Sequence, residues 1–236
     1  MQEVGSGIFR AGCSRINWYL LQEGSSLTLV DCGLPGQWHV LAESVSRLGR
    51  RLSDVEALLL THAHTDHAGS AERVRREAGA QVHVHAAEIP LIRGGRPSRK
   101  ERSVLLYVWR PAALATLWTL LHGGGLRMEH VPEVVEVVDG TQLDVPGQPR
   151  VVHVPGHTSG SVGYLLDDRE SFFSGDAVVT LNPLTGRRGP QLLPRGFTEN
   201  SVQALASLER VSALTASTLL PGHGPPWRGS MADAAA

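Results

Sequence analysis

Thr61-His62-Ala63-His64-Thr65-Asp66-His67-Ala68-Gly69 decides how this chain is read. Three imidazoles and a carboxylate fall within six consecutive positions, as His62, His64, Asp66 and His67. Imidazole nitrogen and carboxylate oxygen are the ligands that zinc and similar divalent metals take. The flanks add geometry. Leu58-Leu59-Leu60 is a short apolar run that reads as a buried strand. If the chain stays extended beyond it, His62 and His64 point to the same side. Asp66 is then expected to cap a helix running to about Gly79, with His67 on its first turn. One pair of ligands can then face one metal, while Asp66 and His67 face a second.

Three further ligand types follow. Pro155-Gly156-His157-Thr158 comes after Val151-Val152-His153-Val154, Ser174-Gly175-Asp176 after Phe172-Phe173, and Pro221-Gly222-His223-Gly224 after Leu219-Leu220. Each is a polar ligand at the end of a strand-like run, beside a glycine that lets the backbone turn sharply. Ligands at the ends of several buried strands converge on one edge of a sheet. Five histidines and two aspartates are enough for two metals sharing a carboxylate.

On these motifs the chain resembles the metallo-β-lactamase superfamily, whose signature is His-x-His-x-Asp-His, then His, Asp and His in that order. All seven positions are present, over roughly residues 5–225. The resemblance implies an α/β (α+β) fold, a four-layer αββα sandwich with the metals at one edge. It implies that His62, His64 and His157 bind one metal, that Asp66, His67 and His223 bind a second, and that Asp176 bridges them. Leu29-Val30-Asp31-Cys32-Gly33 matches the family's aspartate on an early strand, so Asp31 would orient a ligand histidine from behind. Two divalent ions are expected, zinc by default, although the same donors accept iron or manganese.

Composition agrees with an enzyme of this kind. A chain of 236 residues forms one large domain with a substantial core, expected over 1–236. Apolar residues at 42% argue against disorder. A formal net charge of −1 gives no global pull toward nucleic acid or an anionic membrane. No apolar stretch is long enough to span a bilayer, and Met1–Gly7 lacks the basic-then-apolar pattern of a signal peptide. A cytoplasmic protein is expected, with Cys13 and Cys32 reduced unless neighbouring strands pair them.

Strands are expected near 16–21, 27–30, 81–85 and 134–138, and helices over about 37–48 and 199–211. The first helix puts Leu41, Val45 and Leu48 on one face, the second Val202, Leu205 and Leu208. Residues 93–125 stand out. A basic stretch (Arg93, Arg96, Arg99, Lys100 and Arg102) precedes a long apolar run, 104–122. Pro111 is placed to begin a helix whose stripe is Leu114, Leu117, Trp118 and Leu121. This reads as an inserted helical hairpin: a lid over the metals, a packing element of the core, or the contact of a homodimer. The basic stretch lacks interleaved aromatics and reads as a solvated loop rather than a nucleic-acid surface. His39, His83, His85, His122, His130 and His153 are expected to take structural roles, with His85 and His153 near strand ends from which the cleft is within reach. Tyr19, Tyr107 and Tyr164 are available to donate to a substrate oxygen.

The implied chemistry is hydrolysis. A divalent metal lowers the pKa of bound water from roughly 15.7 to about 7, and two metals about 3.5–4 Å apart share the hydroxide that forms. That hydroxide attacks a carbonyl or phosphorus centre, a metal takes the oxyanion, and Asp66 shuttles the proton to the leaving group. His157-Thr158-Ser159-Gly160-Ser161 resembles glyoxalase II-type thioesterases, but only 13 residues follow His223, where those enzymes carry a glutathione-holding helical region. Lactonases of the family usually have a tyrosine three positions after the bridging aspartate, and Val179 stands there. The expected substrate is a small acyl or hydrophobic ester, thioester or lactone. The alternatives are a phosphodiesterase or nuclease of the same family, and a metal-bearing binding or regulatory protein with weak hydrolysis.

Overall fold

The computed structural model describes residues 1–126 and 128–236. The first sheet has seven strands in sequence order: β1 (Gln2–Gly5), β2 (Ile8–Gly12), β3 (Asn17–Glu23), β4 (Ser26–Val30), β5 (Val55–Leu59), β6 (Gln81–His85) and β7 (Val135–Val137). Strands β1 to β4 are antiparallel hairpins, and β4 to β7 are parallel. The second sheet uses β8 (Arg150–His153), β9 (Val162–Leu166), β10 (Ser171–Gly175), β13 (Thr218–Pro221) and β14 (Trp227–Arg228), in the order β14-β13-β10-β9-β8. Between them in sequence, β11 (Val179–Leu181) and β12 (Arg188–Gln191) form a separate ribbon.

Among the described residues seven α-helices accompany the strands: α1 (Trp38–Arg47), α2 (Thr65–Ala68), α3 (Ala71–Ala78), α4 (Ile89–Ile92), α5 (Pro111–His122), α6 (Ser201–Ser212) and α7 (Met231–Ala235). Alternation along the strands explains the layering, because successive side chains leave opposite faces. Trp18 and Leu20 of β3 join Leu41, Val45 and Val74 under α1 and α3, while Tyr19 and Leu21 turn inward to Phe173 and Leu220 of the other sheet. Phe172 packs outward with Val211 and Met231 of α6 and α7. Three apolar layers thus separate helices, sheet, sheet and helices, the αββα sandwich. Strands covered on both faces carry apolar residues at successive positions, as at Ala57-Leu58-Leu59 of β5, Tyr164-Leu165-Leu166 of β9 and Phe172-Phe173 of β10.

Several expectations need correction. The helix expected over 66–79 is two helices, broken at Gly69-Ser70, and its N-cap is His64 rather than Asp66. The break follows from competition for the His67 carbonyl, which accepts from Cys32 N–H at 2.7 Å and Cys32 Sγ at 3.1 Å. The first arm of the expected hairpin is only a 3-10 turn, Val104–Tyr107. On α6 the buried face is Ala204, Ser207 and Val211, leaving Val202 and Leu205 exposed. On α5 the stripe Leu114, Leu117, Trp118 and Leu121 faces solvent, and the smaller Ala113 and Thr116 are buried. It is therefore not core packing. Cys13 and Cys32 are free thiols.

Candidate metal centre

The seven ligand-type side chains meet at one rim of the sandwich. His62 and His64 lie on the extended exit from β5, Asp66 and His67 on α2, and His157, Asp176 and His223 on the turns after β8, β10 and β13. Two glycines allow the approach. A Cβ on Gly222 would sit 2.5 Å from both Asp176 Oδ1 and His67 Cε1. Gly156 has φ of +136°, and a Cβ there would meet the Ala204 nitrogen of α6 at 2.3 Å.

His62 Nε2 and His64 Nδ1 lie 3.1 and 2.9 Å from His157 Nε2. Next to them, His223 Nε2 is 3.5 Å from Asp66 Oδ2 and 3.2 Å from Asp176 Oδ2, and His67 Nε2 is 3.5 Å from Asp176 Oδ1. Asp176 Oδ2 is also 3.5 Å from His157 Nε2, so this carboxylate touches both groups. Within each of the sets His62–His64–His157, Asp66–His67–His223 and His62–His67–Asp176, one ligand atom per residue lies within 4.8 Å of the others.

Outer contacts fix the rings. Asp31 accepts from His67 Nδ1 at 2.8 Å, the Thr61 amide at 2.8 Å and the Thr61 hydroxyl at 2.9 Å. The Thr61 oxygen in turn lies 3.1 Å from His62 Nδ1. His223 Nδ1 donates to the Arg15 carbonyl. These bonds place the Nδ1 protons outward and aim Nε2 of His62, His67 and His223 at the centre. His67 Nε2 and Asp176 Oδ1 are buried without a hydrogen-bond partner. Converging ring nitrogens beside buried carboxylate oxygens need positive charge among them, as protons on His67 and His223 or as a metal cation that displaces those protons. The donor set fits divalent metal.

The charge states divide along the same line. Burial holds His62 and His157 well below the usual imidazole range, and burial together with the Lys100 ammonium takes His64 down to about 3. Burial opposes a charge on His67 too, yet Asp176, Asp31 and Asp66 lift it to about 10. His223 is raised against its burial by Asp176 and Asp66. Burial likewise disfavours charge on Asp176, but His223 and His67 keep its carboxyl far below the ordinary range.

Three supporting residues escape a sequence reading. Glu88, 3% exposed, accepts the Ala63 amide at 2.8 Å and the Gly160 amide at 3.1 Å, joining the loops that carry His62, His64 and His157. Lys100 does not belong to a solvated loop. Its ammonium nitrogen is 3.0 Å from His64 Nε2 and donates to Glu199 at 3.1 Å. Asn17 donates to the Pro221 and Gly224 carbonyls, each at 2.7 Å, pinning the turn around His223. No local pattern marks these positions, because each acts across a large sequence separation. Tyr19 and Tyr164 bond the Pro221 and Leu60 carbonyls inside the core, so neither serves a substrate. His85 and His153 stack on each other, with ring centroids 4.5 Å apart.

A cavity of about 310 Å³ opens onto this centre, reaching His64, Asp66, His157, Asp176 and His223. Much of its remaining wall is apolar, from Pro97, Val104, Leu120, Pro183 and Phe197. A larger cleft of about 670 Å³, edged by Glu56, Asp144 and Asp167, lies at the other end of the strands. It brings together none of the ligand histidines.

Residues 11–223 match the model of the metallo-beta-lactamase superfamily. The chain belongs to that superfamily. It is a metallo-hydrolase of mixed α/β fold, with His/Asp clusters able to hold divalent metal. It is similar to the probable metallo-hydrolase YflN of Bacillus subtilis, 27% identical over 96% of this chain and 87% of that one. It is also similar to the hydroxyacylglutathione hydrolase GloC of Haemophilus influenzae, 24% identical over 84% of this chain and 78% of that one. A solved B3 metallo-beta-lactamase with an active-site glutamic acid shares the superfamily fold. It has a TM-score of 0.73 and 22% identity, covering 99% of this chain and 85% of that one.

Proposed function

We propose that this superfamily member hydrolyses an acyl ester, thioester or lactone at a two-metal centre. The observation that carries the reading is the cavity: an apolar-walled space whose floor is the cluster of ligand-type side chains. A hydrophobic acyl group fits such a wall, and its carbonyl then lies over the cluster. The similarity to a hydroxyacylglutathione hydrolase, whose named substrate is an acyl thioester, favours carbon–oxygen or carbon–sulfur cleavage.

His62, His64 and His157 would hold one ion, and Asp66, His67 and His223 the other, with Asp176 shared between them. Nitrogen and carboxylate donors favour zinc, and accept iron or manganese. Bound divalent metal supplies an acidified water at neutral pH and an electrophile for the developing oxyanion. The protein's own residues do the rest. Asp66 is only partly buried, with 18% of its side chain exposed, and it lines the cavity. In this reading its carboxylate would take a proton at the cavity floor and return it to the leaving oxygen or sulfur. Asp31 and Thr61 hold the His67 and His62 rings in orientation. Val104, Leu120 and Phe197 exclude water from the acyl side. No helix among the described residues is long and apolar enough to cross a membrane. The two free thiols fit a reducing compartment such as the cytoplasm.

The test is turnover of a chromogenic acyl ester, an acyl thioester, an N-acyl homoserine lactone, nitrocefin and bis-p-nitrophenyl phosphate, with metal-loaded and chelator-stripped protein. Metal-dependent turnover of the acyl substrates supports the reading. Turnover confined to the phosphodiester, or none by protein shown to hold two metals, overturns it.

A further inference from the structure

Helix α5 is amphipathic the wrong way round for a folded domain. It buries Ala113 and Thr116 and sends Leu114, Leu117, Trp118 and Leu121 outward, with Trp118 65% exposed. The preceding turn continues the pattern, since Leu105 and Trp109 are each 71% exposed. Scattered surface leucines are ordinary, but a concentration of this kind marks a surface that meets something apolar.

The charge on the same segment says what that is. Residues 93–126 carry six basic side chains and a single acidic one, Glu101, in a chain whose net charge is −1. Glu101 is already engaged by the Ser201 amide and hydroxyl and by Arg195. Arg93, Arg96, Arg99 and Arg102 are exposed, and the Arg110 guanidinium lies over the Trp109 ring, 4.5 Å from its centroid. The overall charge hides this segregation. Tryptophan and leucine flanked by arginine is the chemistry of a segment lying in the headgroup region of an anionic bilayer. A symmetric contact between two copies would press this basic segment against itself, so charge favours lipid over a second copy.

We propose that residues 93–126 form a docking face for anionic membrane. The α5 stripe and Trp109 enter the interface by about 5–10 Å, and the arginines meet lipid phosphates. Val104 and Leu120 of the same segment line the cavity, so docking sets the lipid surface beside the site's apolar wall. The inference rests on surface chemistry alone and stands whether or not the acyl-hydrolase reading does.

The experiment is sedimentation of the full chain with vesicles of phosphatidylglycerol and phosphatidylcholine, against vesicles of phosphatidylcholine alone. Quenching of tryptophan fluorescence by brominated lipid and light scattering for oligomeric state accompany it. Binding to anionic vesicles, quenching, and release by salt are expected. Trp109→Ser and Trp118→Ser should each weaken binding about tenfold, and Arg102→Ser and Arg110→Ser about fivefold each. Circular dichroism checks that these surface variants keep the fold. Three outcomes overturn the proposal: no vesicle binding, vesicle binding that survives the double tryptophan variant, and a stable dimer that this variant dissolves.

Discussion

Nδ1 of His67 lies 2.8 Å from Oδ2 of Asp31, and both residues are buried. Through Thr61 the same carboxylate reaches His62, so one anion sets two imidazoles of the centre. Asp31 does this from a left-handed backbone conformation, φ 57°, which aspartate tolerates better than most residues. Asp31→Asn keeps the shape and removes the charge. Metal affinity is expected to fall about 10–100-fold, measured by chelator competition. Unchanged affinity would show that His67 needs no anchor.

Glu88 should matter for stability as well as for the site. Its two carboxylate oxygens take one amide from each ligand loop. In Glu88→Gln an NH₂ group faces one of those amides, and a buried donor loses its partner. The loss is expected to be about 1–3 kcal/mol, read from denaturant unfolding of the metal-free protein. A variant as stable as the parent would remove Glu88 from this role.

Asp66→Asn tests proton transfer. Its oxygen still reaches toward His223, but it no longer accepts a proton from the reacting water. A drop in kcat of about 10²–10⁴ is expected on the best acyl substrate, with metal content, read by elemental analysis, retained. Full activity would move the proton shuttle elsewhere.

Metal uptake should depend on pH in two different ways. His62, His64 and His157 are held neutral in the metal-free protein, so they accept a cation at neutral pH without releasing protons. His67, lifted to about 10, and His223, also raised, hold protons that a cation must displace. Affinity at the Asp66–His67–His223 set therefore rises with pH up to about 10, while the other set stays flat through neutral pH. Calorimetry in buffers of differing ionisation heat counts the protons. Equal release at both steps would contradict this division.

Much of the candidate centre was legible because its ligand-type residues come in short motifs at strand ends. His62 to His67 announce themselves by spacing, and His157, Asp176 and His223 by the apolar runs before them. Strands with a clear apolar run, such as β3, β4 and β5, are legible, whereas the outer strands β1, β2 and β14, the ribbon β11–β12 and the glycine-interrupted β9 are not. Periodicity did less for α5 and α6. It finds a stripe but not which side of the helix the domain covers, and on α6 Gly156 and Ala204 pack so closely that small residues take the inner face. Glu88 and Lys100 stayed hidden since their partners lie 25 and 36 residues away, with no repeat or motif to link them. The break at Gly69 was equally invisible, being decided by Cys32 from another strand end.

Each proposed ligand set draws from both sheets: His62 and His64 from the first with His157 from the second, and Asp66 and His67 from the first with His223 from the second. An ion in either set would act as a rivet across the sandwich. Its loss would loosen the rim where the two sheets meet before it disturbed their apolar interior. Starved of metal, a cell would then lose this protein to proteolysis as well as to inactivity, and metal supply would govern its abundance.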